Sequence, residues 1–283
     1  MNKSIKLFNN FHNGDVFYSR MILNILEKEQ FKIEYHHNNK QNLLNDLEAC
    51  NYAGKSVLWS KELDYWNDNI INTWIGKNFY SFLDWRGCTF ENHKKIAMQI
   101  FNKLNIDTTN IINNDLLPVI YFQQLTVENI KQEMTRLKRK YKKIILICNG
   151  AVQSGQSINF NFDPIILQLN KDFDKFNYLF IITNNSNLNE NIMHTSSIIN
   201  DSENELLKIS YLSTFCDIII GRASGPYCFT HIKENLLSKN KKYISFTNRK
   251  HEGIWFEDSL ATQIWSNNFI ENNIISLIRK NIL

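Results

Sequence analysis

Apolar and polar positions in residues 126–283 follow two alternating periods. Short runs rich in β-branched residues, which predict buried strands, are separated by segments whose apolar residues recur at helical spacing. The predicted strands are 144–148, 178–183, 217–220 and 242–246, and the predicted helices are 164–173, 203–215, one starting near 226, and about 268–282. Strands alternating with helices indicate a parallel sheet covered on both faces, a doubly wound α/β domain whose ligands bind beyond the carboxyl ends of the strands.

A similar alternation occupies the first part of the chain. We predict strands at 5–9, 31–36 and 56–59, and helices at 16–28, 93–104 and 127–141. The pattern predicts two Rossmann-like doubly wound domains facing a cleft, divided as 1–125 and 126–283. The final helix is expected to cross back to the first domain.

Composition limits the class of protein. A chain of 283 residues with 43% hydrophobic and 13% aromatic residues has ample material for packed cores. A net charge of +4 and a pI near 8.6 suit a protein that handles phosphates or lies beside anionic lipid, and fall short of a nucleic-acid-binding footprint. The basic run 136–143 fits a membrane or nucleic-acid patch, but more readily the solvated C-terminal end of a helix.

Cysteine usage and hydropathy add four exclusions. The five cysteines are widely spaced, odd in number and without a CxxC pair, so neither a disulfide framework nor a zinc site is indicated. The first residues lack the sustained apolar stretch of a signal peptide, and no segment approaches the roughly 20 apolar residues of a membrane span. We therefore expect a cytoplasmic protein, with peripheral contact at the inner face of an anionic membrane.

Two glycine turns carry the candidate chemistry. The first is Phe11-His12-Asn13-Gly14-Asp15, and the second is the segment 222–227, Arg-Ala-Ser-Gly-Pro-Tyr. Each is predicted to lead from a strand into a helix, a geometry that presents backbone N–H groups and the positive end of a helix dipole to an anion. Two such turns suggest a phosphorylated donor at one domain and an acceptor at the other.

These two turns resemble motifs of the inverting GT-B glycosyltransferases related to bacterial ADP-heptose:LPS heptosyltransferases. His12-Asn13-Gly14-Asp15 matches that family's His-x-Gly-Asp turn in full, and Ser224-Gly225-Pro226 matches its second motif in part. The chain departs from the family at two positions: Ala223 stands where an acidic residue is usual, and Cys228 stands where a histidine is usual. The resemblance implies an N-terminal acceptor domain, a C-terminal nucleotide-sugar domain, and a role in lipopolysaccharide or capsule synthesis.

The resemblance makes Asp15 the general base that removes the acceptor hydroxyl proton. Another interpretation is that Asp15 caps a helix beginning at Val16, and one residue can do both. His12 is the second catalytic candidate, with a solvated loop histidine as the alternative. Four residues are assigned to acceptor binding: Asn13, Gly14, Arg20 and Trp85.

Donor binding is assigned to the second turn and to loops at strand exits. Ser224 and Gly225 are expected to donate to the diphosphate, with an ordinary Ser cap and Gly turn as the alternative. Arg222 and Tyr227 are expected to compensate for the altered positions, since a guanidinium binds a diphosphate bidentately. The remaining donor candidates are Asn149, Gly150, Gln153, Ser154 and Glu252.

We therefore expect an inverting, metal-independent glycosyltransferase that moves a sugar from a nucleotide-diphosphate donor to a carbohydrate or lipid-linked acceptor. Metal independence follows from the resemblance and from the lack of an Asp-x-Asp motif after a strand. No cofactor and no nucleic-acid partner are expected. Two alternatives remain open, a sugar-nucleotide epimerase or hydrolase and a non-catalytic nucleotide-sugar or glycan-binding protein.

Overall fold

The chain forms two compact α/β units. The computed structural model describes residues 3–9, 12–37, 42–52, 70–73, 89–153, 155–184, 191–200, 202–250 and 256–283. One unit comprises Met1–Leu125 and the other Thr126–Leu283. Within the described residues each unit contains one parallel sheet, so the expected α/β fold with two parallel-sheet domains is confirmed.

The first unit is built on a four-stranded parallel sheet. In chain order its strands are β1 Ser4–Phe8, β2 Lys32–His36, β3 Cys50–Tyr52 and β4 Ile70–Asn72. Its helices are α1 Asn13–Tyr18, α2 Arg20–Lys28 and α3 Thr89–Lys103. The strand order is β3-β2-β1-β4, so β1 is central and its carboxyl end leads directly towards α1.

The helix expected at 16–28 differs from the prediction in two ways. It begins at Asn13, and Ser19 divides it into α1 and α2. The side chains from Val16 to Leu26 are all buried, because α2 contacts both β2 and α3. The strand predicted at 56–59 lies outside the described residues.

The second unit has a six-stranded parallel sheet of order β10-β9-β8-β5-β6-β7. Its strands are β5 Lys143–Cys148, β6 Tyr178–Ile182, β7 Ile192–His194, β8 Ile218–Gly221, β9 Lys242–Phe246 and β10 Thr262–Ser266. Its helices are α4 Glu128–Lys140, α5 Asp163–Asp172, α6 Glu205–Ser213, α7 Gly225–Phe229, α8 Lys233–Leu236 and α9 Glu271–Ile282.

The sheet of the second unit is apolar on both faces. Alternate strand residues such as Ile145, Ile147 and Ile220 pack with α5 and α9 into one core. The prediction that the final helix crosses back to the first domain is wrong. Its apolar face, including Ile278 and Ile282, is fully buried in the core of the second unit.

Candidate functional site

The first glycine turn lies just beyond the carboxyl end of β1. His12 is exposed and takes the N-cap position of α1, and Asp15 is the third residue of that helix. A carboxylate oxygen of Asp15 accepts a hydrogen bond from the His12 backbone N–H at 3.2 Å. Asp15 is therefore not the N-cap of a helix beginning at Val16, although it does satisfy an N–H group at a helix start. Asn13 and Gly14 form the half-buried first turn between His12 and Asp15.

A buried hydroxyl cluster supports this turn from below. The Tyr35 hydroxyl donates to Ser19 Oγ at 2.8 Å, and Ser19 Oγ lies 2.7 Å from Thr73 Oγ1. Ser19 Oγ also lies within hydrogen-bonding distance of the Asp15 carbonyl oxygen, and Asn9 donates to Thr73. Burial raises the pKa of the Tyr35 phenol well above its ordinary value, which keeps it a neutral donor. The cluster joins the ends of three strands to the backbone of Asp15.

Arg20 does not have the expected acceptor-binding role. Its guanidinium is fully buried and forms a bidentate ion pair with Asp46, at 2.5 and 2.8 Å. It also donates to the carbonyl oxygens of Leu43 and Val119. The inward-facing side of α2 places the Arg20 side chain in the core, where its charge is paired with Asp46.

Three predicted site residues lie outside the described residues: Trp85, Ser154 and Glu252. Their assignments to acceptor and donor binding stay predictions.

The second glycine turn follows β8, at the carboxyl edge of the six-stranded sheet. Ser224 is the N-cap residue of α7, and Gly225 and Pro226 form the first helical positions. The Ser224 side chain makes no capping hydrogen bond, and its buried Oγ has no hydrogen-bond partner among the described residues. The capping interpretation of Ser224 is therefore not supported, and within the described part of the chain its hydroxyl is left unpaired at the start of α7.

Tyr227 is a packing residue of this turn. Its ring is fully buried and lies against Gly221, where an added Cβ atom would come within 2.7 Å of Tyr227 Cδ2. Burial raises the pKa of the Tyr227 hydroxyl well above its ordinary value. The Tyr227 side chain packs α7 on the sheet, so a donor contact at this residue is left to its backbone N–H group.

Arg222 is also used internally. Its guanidinium donates to the carbonyl oxygens of Asn149, Gly150 and Phe160 at 2.8–2.9 Å and lies 4.9 Å from the centre of the Phe160 ring. Burial lowers the pKa of Arg222 to about 10, so the group stays charged at neutral pH. Arg222 therefore does not bind a diphosphate directly, since its terminal nitrogens hold the loop after β5 in place.

Asn149 joins the ends of β5 and β6. Its Oδ1 accepts from the backbone N–H groups of Thr183 and Asn184 at 3.1 and 2.7 Å, and its Nδ2 donates to the Asn184 carbonyl oxygen at 3.0 Å. Asn149 positions the loop and is not itself free for a donor. Gly150 is buried, and a Cβ atom added there would lie 3.2 Å from Asn184 Oδ1. Gln153 is exposed in the same loop.

His231 is a buried residue that sequence reasoning missed. Its ring packs between Tyr227 and Tyr243, and its Nδ1 donates to the Tyr227 carbonyl oxygen at 2.9 Å. Burial lowers the pKa of His231 to about 3, so it is neutral at physiological pH. A histidine in an apolar run was the only available signal, and it does not show which residues pack around it.

Within the described part of the chain, no group of three His, Cys, Asp or Glu side chains is arranged to hold a metal ion. Likewise, none of the helices that the structure describes has the length and hydropathy needed to cross a membrane.

Comparison with known proteins identifies the fold. No family model and no curated protein matches the chain. A glycosyl transferase family 9 structure from Veillonella parvula matches with a TM-score of 0.58 and 13% identity, covering 98% of this chain and 89% of that one. E. coli ADP-heptose LPS heptosyltransferase II matches with a TM-score of 0.57 and 11% identity, and 98% of each chain is covered. The E. coli heptosyltransferase WaaC with ADP matches with a TM-score of 0.55 and 7% identity, covering 99% of this chain and 98% of that one.

These matches define a class. The chain has the GT-B glycosyltransferase fold, and the heptosyltransferase-like architecture that its two turns suggested is confirmed. At identities this low the match concerns the fold, and activity has to be argued from the site.

Proposed function

We propose that this protein is a glycosyltransferase that moves a sugar from a nucleotide-diphosphate donor to a carbohydrate or lipid-linked acceptor in surface glycan synthesis. The observation that carries the proposal is the position of both glycine turns at the carboxyl ends of parallel strands, after β1 and after β8. Ligands of doubly wound sheets bind at that edge. Structures that share the fold over nearly the whole chain are named glycosyl- or heptosyltransferases, one of them with ADP.

The donor diphosphate is proposed to bind at the second turn. Ser224 supplies a hydroxyl with no partner among the described residues, and the N–H groups of Gly225 and Tyr227 begin α7. Pro226 has no N–H group, so the turn offers these two backbone donors and the Ser224 hydroxyl. Arg222 and Asn149 act indirectly by holding the adjacent loop, which carries the exposed Gln153.

The acceptor is proposed to react at the first turn. The Asp15 carboxylate takes the proton of the acceptor hydroxyl while that oxygen forms a bond to the anomeric carbon of the donor sugar. The bond from the anomeric carbon to the diphosphate breaks on the opposite face, and its electron pair leaves with the nucleoside diphosphate. The configuration is thereby inverted, and the proton stays on Asp15 until it passes to water. No metal ion and no further cofactor is assigned to this step.

Location and partners follow from the proposed substrates. A lipid-linked acceptor places the enzyme in the cytoplasm at the inner face of an anionic membrane, with peripheral contact to that surface. Nucleic acid is not a proposed partner.

A thermal-shift series tests the donor assignment. A ligand that binds only the folded state raises the apparent stability, so ADP, UDP, GDP, CDP and their sugar conjugates should separate into one stabilising series and several inert ones. Incubation with the donor alone, followed by product analysis, separates transfer from the epimerase or hydrolase alternative. Donor binding without turnover on a broad acceptor panel would instead favour a binding protein, the alternative raised by Ala223 and Cys228.

A further inference from the structure

The charge of the chain is unevenly distributed. Residues 1–125 contain thirteen Lys and Arg and thirteen Asp and Glu, so the formal net charge of +4 belongs entirely to residues 126–283. Much of this excess lies at the edge of the six-stranded sheet where the strands begin, opposite the carboxyl edge that bears the second glycine turn. Six exposed cations there define the basic edge: Arg139, Lys140, Lys142, Lys175, Lys239 and Lys280.

Strand pairing and hydrogen bonds bring these cations together. Arg139, Lys140 and Lys142 lie where α4 ends and β5 begins, and β5 pairs in parallel with β6 and β8. The last turn of α9, which carries Lys280, is tied to the same edge. Lys143 Nζ donates to the Ile282 carbonyl oxygen, and Lys242 Nζ donates to that of Asn281 at 2.9 Å.

Most acidic side chains at this edge are already engaged. Asp172 pairs with Arg279, and Asp217 pairs with Lys138 at 2.7 Å and accepts from a backbone N–H group of β5. Among the described residues no carboxylate forms an ion pair with Arg139, Lys140, Lys142, Lys239 or Lys280. Burial is the main cause that lowers the pKa of Lys143, and the neighbouring Lys242 and Lys142 lower it further.

An exposed aromatic ring lies among the cations. Phe176, in the turn before β6, has 69% of its surface exposed, and Lys175 Nζ lies 5.7 Å from the centre of its ring. An exposed apolar ring beside a lysine, at an edge rich in cations, suits the headgroup region of an anionic bilayer, where the ring enters the acyl boundary and the ammonium groups contact phosphates. Nucleic acid is the less favoured partner, because a pI of 8.6 falls below the footprint expected for it.

We propose that the basic edge docks on an anionic lipid surface through Lys and Arg contacts to phosphate and insertion of Phe176. Docking there leaves the opposite, carboxyl edge of the same sheet open to a soluble donor. This inference specifies which surface makes the proposed peripheral membrane contact. It rests on the proposed function only in that a lipid-linked acceptor gives the enzyme a reason to bind a membrane. Lipid binding itself is measurable without turnover.

Vesicle co-sedimentation of the full chain tests this proposal. The wild type should sediment with vesicles of phosphatidylcholine mixed with phosphatidylglycerol, should not sediment with phosphatidylcholine alone, and should be released by high salt. The triple variant Arg139→Gln/Lys140→Gln/Lys142→Gln should bind roughly 100-fold more weakly, because each cation near an anionic membrane contributes about one factor of five. Phe176→Ser should weaken binding further without changing the salt dependence.

A matched control removes the same charge elsewhere. Lys28, Lys32 and Lys95 are exposed residues of the first unit and are not part of the basic edge, so Lys28→Gln/Lys32→Gln/Lys95→Gln should sediment like the wild type. Equal loss in both triple variants, absence of wild-type binding, or binding of an RNA duplex in place of vesicles would each overturn the proposal. Retention of the nucleotide thermal shift by the basic-edge variant shows that lipid docking and donor binding are separate, so that either can fail alone.

Discussion

At the scale of single residues, Gly221 controls how α7 sits on the sheet. A Cβ atom at this position would meet Tyr227 Cδ2 at 2.7 Å and Cys148 Cβ at 3.0 Å, and both neighbours are fully buried. Gly221→Ala should therefore lower the free energy of unfolding by about 1–3 kcal/mol through overpacking. Chemical denaturation measures this change.

Gly155→Ala is the matched control for Gly221→Ala, because a Cβ atom there has no neighbour within 4 Å among the described residues. It should leave the midpoint of unfolding nearly unchanged. If the two variants lost equal stability, a general cost of replacing glycine would explain the result, and the contact between Gly221 and Tyr227 would not.

Ser224 separates a capping role from a ligand-binding role. Because its hydroxyl makes no hydrogen bond within the described residues, Ser224→Ala should change the free energy of unfolding by less than about 0.5 kcal/mol. Nucleoside diphosphate affinity should fall about tenfold, as expected for the loss of one hydrogen bond to a charged group. Calorimetric titration and denaturation together measure both effects.

Ser210 provides the comparison for Ser224. Its buried hydroxyl lies within hydrogen-bonding distance of the Leu206 and Phe229 carbonyl oxygens, so Ser210→Ala should cost about 1 kcal/mol of stability. A stability loss of that size in Ser224→Ala, with nucleotide affinity retained, would support an ordinary helix cap and contradict the donor assignment.

At the scale of elements, an ion pair fastens α2 to the segment that ends the first unit. Arg20 and Asp46 are both fully buried. Arg20 donates to the Val119 carbonyl oxygen, and Asp46 accepts from the Tyr121 backbone N–H group. Arg20→Met should lower the free energy of unfolding by about 3–5 kcal/mol, because the Asp46 carboxylate would stay buried without its cation.

Arg136→Met is the control for Arg20→Met, since Arg136 pairs with Glu133 on the exposed surface of α4. Its stability should be unchanged. If Arg20→Met were as stable as the wild type and impaired only acceptor affinity, the structural role assigned to Arg20 would be wrong.

The elements were more predictable from sequence than the roles of their side chains. Apolar runs such as 144–148 could be predicted as buried strands because their hydrophobic pattern is visible in a few consecutive residues. The inward orientation of Arg20 depends on Asp46, 26 positions along the chain, and that of Arg222 on the carbonyl oxygens of the loop after β5. The Tyr227 ring packs against the nearby Gly221 and also against Tyr243 of β9. The position of these residues in or near the motifs suggested ligand contacts. The local sequence does not show that their side chains are buried.

At the scale of the whole molecule, buried histidines should make the protein acid-sensitive. Burial lowers the pKa of His231 to about 3 and that of His37 to about 4, against an ordinary value of 6.5. Below pH 6.5 the unfolded chain therefore binds more protons than the folded one. The free energy of unfolding should therefore be unaffected by these two histidines above pH 6.5. It should decrease as the pH falls from 6.5 towards 4.

His231→Gln tests this dependence. It should reduce the slope of unfolding free energy against pH, between about pH 6 and 4, by up to about 1.4 kcal/mol per unit. His12→Gln, at an exposed residue, serves as the control. An unchanged slope in His231→Gln would show that His231 is not held neutral in the folded state.

The central claim is sugar transfer with Asp15 as the base, and mass spectrometry of the acceptor tests it most directly. The protein is incubated with the nucleotide-sugar series selected by thermal shift and with a panel of carbohydrate and lipid-linked acceptors. We predict that the wild type adds one sugar residue with inverted configuration, and that Asp15→Asn binds the same nucleotide but transfers at least about 100-fold more slowly. Undiminished transfer by Asp15→Asn, or no transfer by a wild type that binds the donor, would contradict the account.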